Sequence, residues 1–146
     1  MSHTFFTDRD LGRQFPAELR RAGVVVEMHD DHFGPLTPDP VWLREVGRRG
    51  WVALSHDQKL RYRPQERDMA MRAGVPLFVL VGKATHSALA KNFVQTLPKV
   101  FRFLDENDRP FIARIYRPSP VAGVESGKAG RVELWLSLEE WKASQG

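Results

Sequence analysis

Apolar residues fall in short, unbroken runs along the chain: Phe5-Phe6, Val24-Val25-Val26, Trp51-Val52-Ala53-Leu54 and Leu77-Phe78-Val79-Leu80-Val81. Continuous runs of this length predict parallel strands covered on both faces. Helical patterns lie between them. Leu11, Phe15 and Leu19 recur every four residues and predict a helix over 12–22 that stops at Gly23. A second helix is expected from Pro40 to Arg49, with Asp39 as N-cap and Gly50 as stop, and a third over 64–73 before Gly74. The longest, over 86–106, carries the stripe Leu89, Phe93, Leu97, Val100 and Leu104, with Pro98 expected to kink or break it. Four strands alternating with helices read as an α/β fold with a mostly parallel sheet.

The pattern changes after residue 108. Residues 111–116 and 131–136 alternate apolar and polar positions, which predicts two half-exposed strands and an antiparallel pair. Pro118, Pro120, Gly123, Gly127 and Gly130 mark a long loop between them, and Ser137 with Glu140 forms a capping box before a short helix bearing Trp141. With no repeat and no long linker, residues 1–146 are expected to form one domain, in which 109–146 supply the strand pair and final helix.

Composition narrows the chemistry. The 146 residues include no cysteine, which excludes disulfides and thiolate metal sites and suits a reducing compartment. No basic segment leads into an apolar stretch at the N-terminus, and no run approaches the roughly 20 apolar residues that span a bilayer. The expectation is a soluble cytoplasmic protein without a membrane partner. Twenty-two Lys and Arg against 18 Asp and Glu give a net charge of +4. Much of the surplus is local: Arg9, Arg13, Arg20, Arg21, Arg48, Arg49, Lys59, Arg61, Arg63 and Arg67 lie in the first half, a distribution that favours a polyanionic partner.

The same half carries acids where strands end. Asp8 follows the first apolar run, Asp30 and Asp31 the second and Asp57 the third, while Asp39 opens the second helix. In an open parallel sheet the carboxyl ends of the strands share one edge, where ligands bind. Carboxylates gathered there repel one another, and a hard cation such as Mg²⁺ or Mn²⁺ resolves the conflict through its preference for oxygen ligands. Such an ion polarises a phosphodiester and activates water, so the pattern points to a metal-dependent phosphodiesterase. The competing reading is local: Asp is a common N-cap and turn residue, and Asp10, Asp30 and Glu66 also fit solvated surface positions.

The stretches "FFTDRDLG", "DPVWLREVGRRGWVALSHDQKL" and "GVPLFVLVG" resemble the PIN-like nuclease domain, in the short variety found among VapC-type toxins, over about residues 3–106. The resemblance rests on an acid after strand one, an acid opening a helix that leads into "GWVALSHD", an acid directly after that strand, and the D-x-x-W-L step from Asp39 to Leu43. It implies a three-layer α/β/α fold and RNA cleavage with Mg²⁺ or Mn²⁺ at Asp8, Asp39 and Asp57; Asp10 and Asp31, from their place near the same edge, and Glu66 are further metal-site candidates. Larger PIN domains carry a fourth acid with no clear counterpart here; Glu66 is the nearest. Arg9, Arg13, Lys59, Arg61 and Arg63 are candidates for holding the RNA backbone. The resemblance further implies a toxin restrained by a small antitoxin protein, and homodimerisation.

Other readings remain beside it. A PIN-like scaffold that binds RNA or protein without cutting is one. "DRDL" also resembles the opening of haloacid-dehalogenase-type phosphatases, with Lys83 as their lysine, but "DEND" at 105–108 follows a helix rather than a strand. A receiver-like phosphoacceptor would use the same acids and Lys83, yet the pattern shows no convincing fifth parallel strand. Ser55, His56 and Asp57 are consecutive and point in different directions, so they cannot form a triad. "HDDH" at 29–32 reads as a polar loop rather than a zinc site, Trp42 and Trp51 as core, and "GVESGKAG" at 123–130 as a loop without Walker spacing.

Overall fold

A computed structural model describes residues 3–118 and 129–145. Its strands are β1 (Thr4–Thr7), β2 (Val25–Met28), β3 (Val52–Ser55), β4 (Pro76–Leu80), β5 (Phe111–Tyr116) and β6 (Arg131–Leu136). They form one sheet in the order β2-β1-β3-β4-β5-β6, parallel throughout except for the antiparallel β5–β6 pair. The helices are α1 (Gln14–Arg21), α2 (His29–His32), α3 (Asp39–Arg49), α4 (Pro64–Arg72), α5 (His86–Glu106) and α6 (Leu138–Gln145).

The unbroken apolar runs have a simple cause. Successive strand residues point to opposite faces, and here both faces are covered. Phe5, Val52, Leu54, Phe78 and Leu80 pack with Phe15 and Leu19 of α1 and Leu89 and Phe93 of α5. Phe6, Ala53, Leu77 and Val79 pack on the other side with Trp42, Leu43 and Val46 of α3 and Ala70 and Met71 of α4. Helices, sheet and helices thus make three layers. Among the described residues, no helix is long and apolar enough to cross a membrane.

Three local expectations change. β5 is not half-exposed: Phe111, Ala113 and Ile115 are buried in one core and Ile112 in the other, so both faces of the strand are covered. Its polar alternate, Arg114, pairs with Glu133 of β6. Because β5 pairs in parallel with β4, a fifth parallel strand exists, and the objection to a receiver-like reading that relied on its absence lapses. Pro98 does not break α5, since it lies on the exposed side, where water can satisfy the carbonyl it leaves without a donor. "HDDH" is a helical turn, α2, rather than a loop. The Ser137–Glu140 capping box forms as expected, with both bonds at 3.0 Å. Most of the proline- and glycine-rich loop, residues 119–128 with most of "GVESGKAG", lies outside the described residues.

α3 and α4 approach closely at Gly47, where a Cβ would fall on the backbone of Ala73. Gly47→Ala should therefore destabilise the fold by about 1–3 kcal/mol through overpacking, although alanine is the better helix former. A urea-unfolding midpoint equal to or above that of the parent would contradict this packing.

Candidate active site

The strand order reverses at β1, which has β2 on one side and β3 on the other. Phe5, Phe6 and Thr7 pair with Val52, Ala53 and Leu54, so the chain leaves both strands at the same edge. A cleft of about 450 Å³ opens there. Asp8, Asp10, Asp39 and Asp57 line it together with Arg9 and His56. The sheet edge thus collects the three acids expected to form the site, with Asp10 as a fourth.

Each acid has its own anchor. Asp8 is almost buried and N-caps the short 3₁₀ turn Arg9–Leu11: one oxygen accepts from the Arg9 amide at 2.7 Å and the other from the Ser55 hydroxyl at 3.0 Å. Ser55, fully buried at the end of β3, also accepts from the Asp57 amide at 3.1 Å. One hydroxyl thereby couples the two strand ends. Asp10 crosses the same gap and accepts from the His56 amide at 3.1 Å. Asp57 closes an Asx-type turn on the Lys59 amide at 3.0 Å and receives Arg63 Nη1 at 2.9 Å.

Asp39 does not act as the expected N-cap. Pro38 occupies that position and Asp39 is the first helical residue. Its carboxylate instead accepts from the Trp42 indole Nε1 at 2.8 Å. Trp42 is fully buried and stacks on Phe6, with centroids 5.3 Å apart. The D-x-x-W step therefore fixes an acid at the cleft by its bond to a core side chain one helical turn away.

Crowding shows in the protonation. Desolvation, followed by the nearby charge of Asp10 and then Asp39, raises the Asp8 pKa from 3.8 to about 7, against the opposing bonds from Ser55 and Arg9. Desolvation also pushes Asp10 upward, against the His56 amide. Arg63 Nη1 lies between Asp57 and Asp39, 3.8 Å from the latter, and the bond to Asp57 holds its guanidinium still more firmly protonated.

The remaining candidates are dispersed. Asp31 is exposed on α2 and Glu66 lies in the first turn of α4; neither lines the cleft. Arg9 lines it, held by the Pro35 carbonyl at 2.7 Å and by Asp30 at 3.3 Å. Arg13 and Lys59 are exposed outside the lining. Arg61 is buried, with its guanidinium 4.7 Å from the Tyr62 ring centroid and 5.4 Å from that of Trp135, which turns it into the packing of the C-terminal strand. Lys83 does not line the cleft, so neither the phosphatase nor the phosphoacceptor arrangement is assembled there.

Sequence reasoning missed Ser55, His56 and His29 as parts of this site. A hydroxyl at the last position of an otherwise apolar strand was the available signal for Ser55. His29 is buried against Phe6 and Phe33, and desolvation lowers its pKa.

The four acids offer carboxylate oxygens, which suit a hard divalent ion, beside the imidazoles of His29 and His56 in the lining. Among the described residues, no three His, Asp or Glu side chains already converge as a metal cage. The fit is one of donor chemistry, with Arg63 supplying positive charge between two of the acids.

Residues 3–82 match the family model described as a PIN-like domain. No curated protein and no solved structure matches the chain.

A carboxyl with a raised folded pKa binds more protons in the native than in the unfolded state, so stability should fall as pH rises from about 4 to about 7. The Asp8 contribution is a few kcal/mol at most, each pKa unit being about 1.4 kcal/mol. Asp8→Asn should flatten that slope and unfold at a higher temperature than the parent at pH 8 without divalent ions. Equal slopes would show that Asp8 ionises freely.

Proposed function

The chain belongs to the PIN-like domain family, and on that premise we propose that it is a metal-dependent endoribonuclease. The observation that supports this reading most is the convergence of Asp8, Asp10, Asp39 and Asp57, from three separate segments, on one cleft. Asp8, Asp39 and Asp57 would hold Mg²⁺ or Mn²⁺, with Asp10 at the rim. A bound ion of this kind supplies charge neutralisation at the phosphodiester and a water acidic enough to attack it.

The chain's own residues perform the remaining tasks. Ser55 and Trp42 hold Asp8 and Asp39 in place by hydrogen bonds at 3.0 and 2.8 Å. Such preorganisation spares the site from rearranging when charge develops in the reaction. Arg9, already oriented by Pro35 and Asp30, reaches a phosphate at the cleft mouth, and Arg63 can exchange its carboxylate partners for a phosphate oxygen. The reading extends to a cytoplasmic toxin restrained by a small antitoxin protein, and to a homodimer.

Incubating purified protein with a mixed labelled RNA pool and Mn²⁺ or Mg²⁺ tests the assignment. Cleavage should appear with the ion, disappear in EDTA, and fall at least about 100-fold in Asp57→Asn, since changes one step further out already cost 10–100-fold. Well-folded protein that binds the RNA without cutting it would overturn the nuclease reading in favour of a non-catalytic RNA-binding PIN-like module, a reading favoured by the ion pair that occupies Asp57.

A further inference from the structure

A second groove, of about 690 Å³, runs along the exposed side of α3. It shares a wall with the cleft. Within residues 29–41, His29, Pro35, Thr37 and Asp39 face the cleft, while His32, Phe33 and Val41 face the groove. The rest of its lining is strongly cationic: Arg44, Arg48 and Arg49, against the single carboxylate of Glu45.

That carboxylate is shared. Arg48 Nε lies 2.9 Å and Arg49 Nε 2.7 Å from Glu45, and these bonds lower its pKa to about 2. Arg44 is exposed and makes no ion pair among the described residues. The groove therefore keeps a net positive charge even with Glu45 ionised. Its lining includes the rings of Phe33 and His32, which lie side by side; behind them Trp51, outside the lining, is 5.2 Å from His32 and carries the Arg49 guanidinium 4.9 Å from its centroid.

We propose that this groove is the track by which a single-stranded RNA extends from the cleft, with Arg44 and Arg48 on neighbouring phosphates and Phe33 offering a face to a base. The proposal rests on the nuclease reading of the cleft. Arg44 and Arg48 are one helical turn apart, with roughly 5–6 Å between their Cβ atoms, a step comparable to that between successive phosphates of an extended strand. Cations that follow a backbone beside an aromatic face are how proteins hold single strands without reading sequence. A double helix is less suited, because its bases are stacked away from such a face.

Binding of a short labelled oligouridine in EDTA, followed by anisotropy across a salt series, separates this from the cleavage question. In the Arg44→Ala/Arg48→Ala double variant, affinity should weaken and the slope of log affinity against log salt should shrink by roughly 1.4, about 0.7 for each lost contact to a single strand. The control is Lys91→Ala/Arg102→Ala, which removes the same charge from exposed positions on α5, across the sheet, and should keep the parent slope. An unchanged slope in the α3 variant overturns the track, even if the protein cuts RNA. A reduced slope in protein that never cuts RNA supports the track and removes the nuclease reading instead. Polyglutamate that binds the parent but not the α3 variant, with RNA binding unchanged, overturns the proposal in favour of an acidic protein segment.

Discussion

The parallel pairing of β1 with β3 is the constraint from which the site follows. With Phe5 to Thr7 in register with Val52 to Leu54, the two chains leave the sheet side by side, and the Asp8 amide extends the ladder by bonding the Leu54 carbonyl at 3.0 Å. Asp8, Ser55 and Asp57 are then neighbours by geometry. The two hydrophobic layers keep this register from slipping, because a shift of one residue would move Phe5 and Phe6 into each other's cores. The position of the acids is thus set by apolar packing.

What packing brings together, electrostatics resists. Asp8 sits at nearly full burial close to two other carboxylates, and its raised pKa records the cost. The protein meets that cost with three local devices. Ser55 and the Arg9 amide donate to Asp8, the His56 amide donates to Asp10, and Arg63 stands between Asp57 and Asp39. A divalent cation would complete this compensation and add charge where a phosphodiester would lie, which links the strain in the free protein to the proposed chemistry.

Much of this was legible in the sequence for physical reasons. Runs such as Leu77 to Val81 are apolar throughout because alternate residues serve different cores, and Gly23, Gly50 and Gly74 fall just after helices where positive φ is needed. Asp8 and Asp57 could be placed because strand ends in a parallel sheet share an edge, and Asp39 because it opens the helix that leads into β3. β5 was misjudged because its alternation came from one cross-strand ion pair, Arg114 with Glu133, rather than from solvent. The roles of Ser55 and Asp10 depend on contacts between segments up to 47 residues apart, which local patterns do not encode. Arg61 looked like a phosphate contact in sequence, but cation–π packing on Trp135 buries it.

Whether these aspartates form a divalent-cation site can be read without RNA, from Mn²⁺ binding followed by electron paramagnetic resonance. Metal-free parent protein should remove free Mn²⁺ signal on titration, and Asp39→Asn and Asp57→Asn, with folds verified by circular dichroism, should each weaken that binding by tenfold or more. Parent and both variants that leave the Mn²⁺ signal equally unchanged, or bind the ion equally well, would contradict such a site.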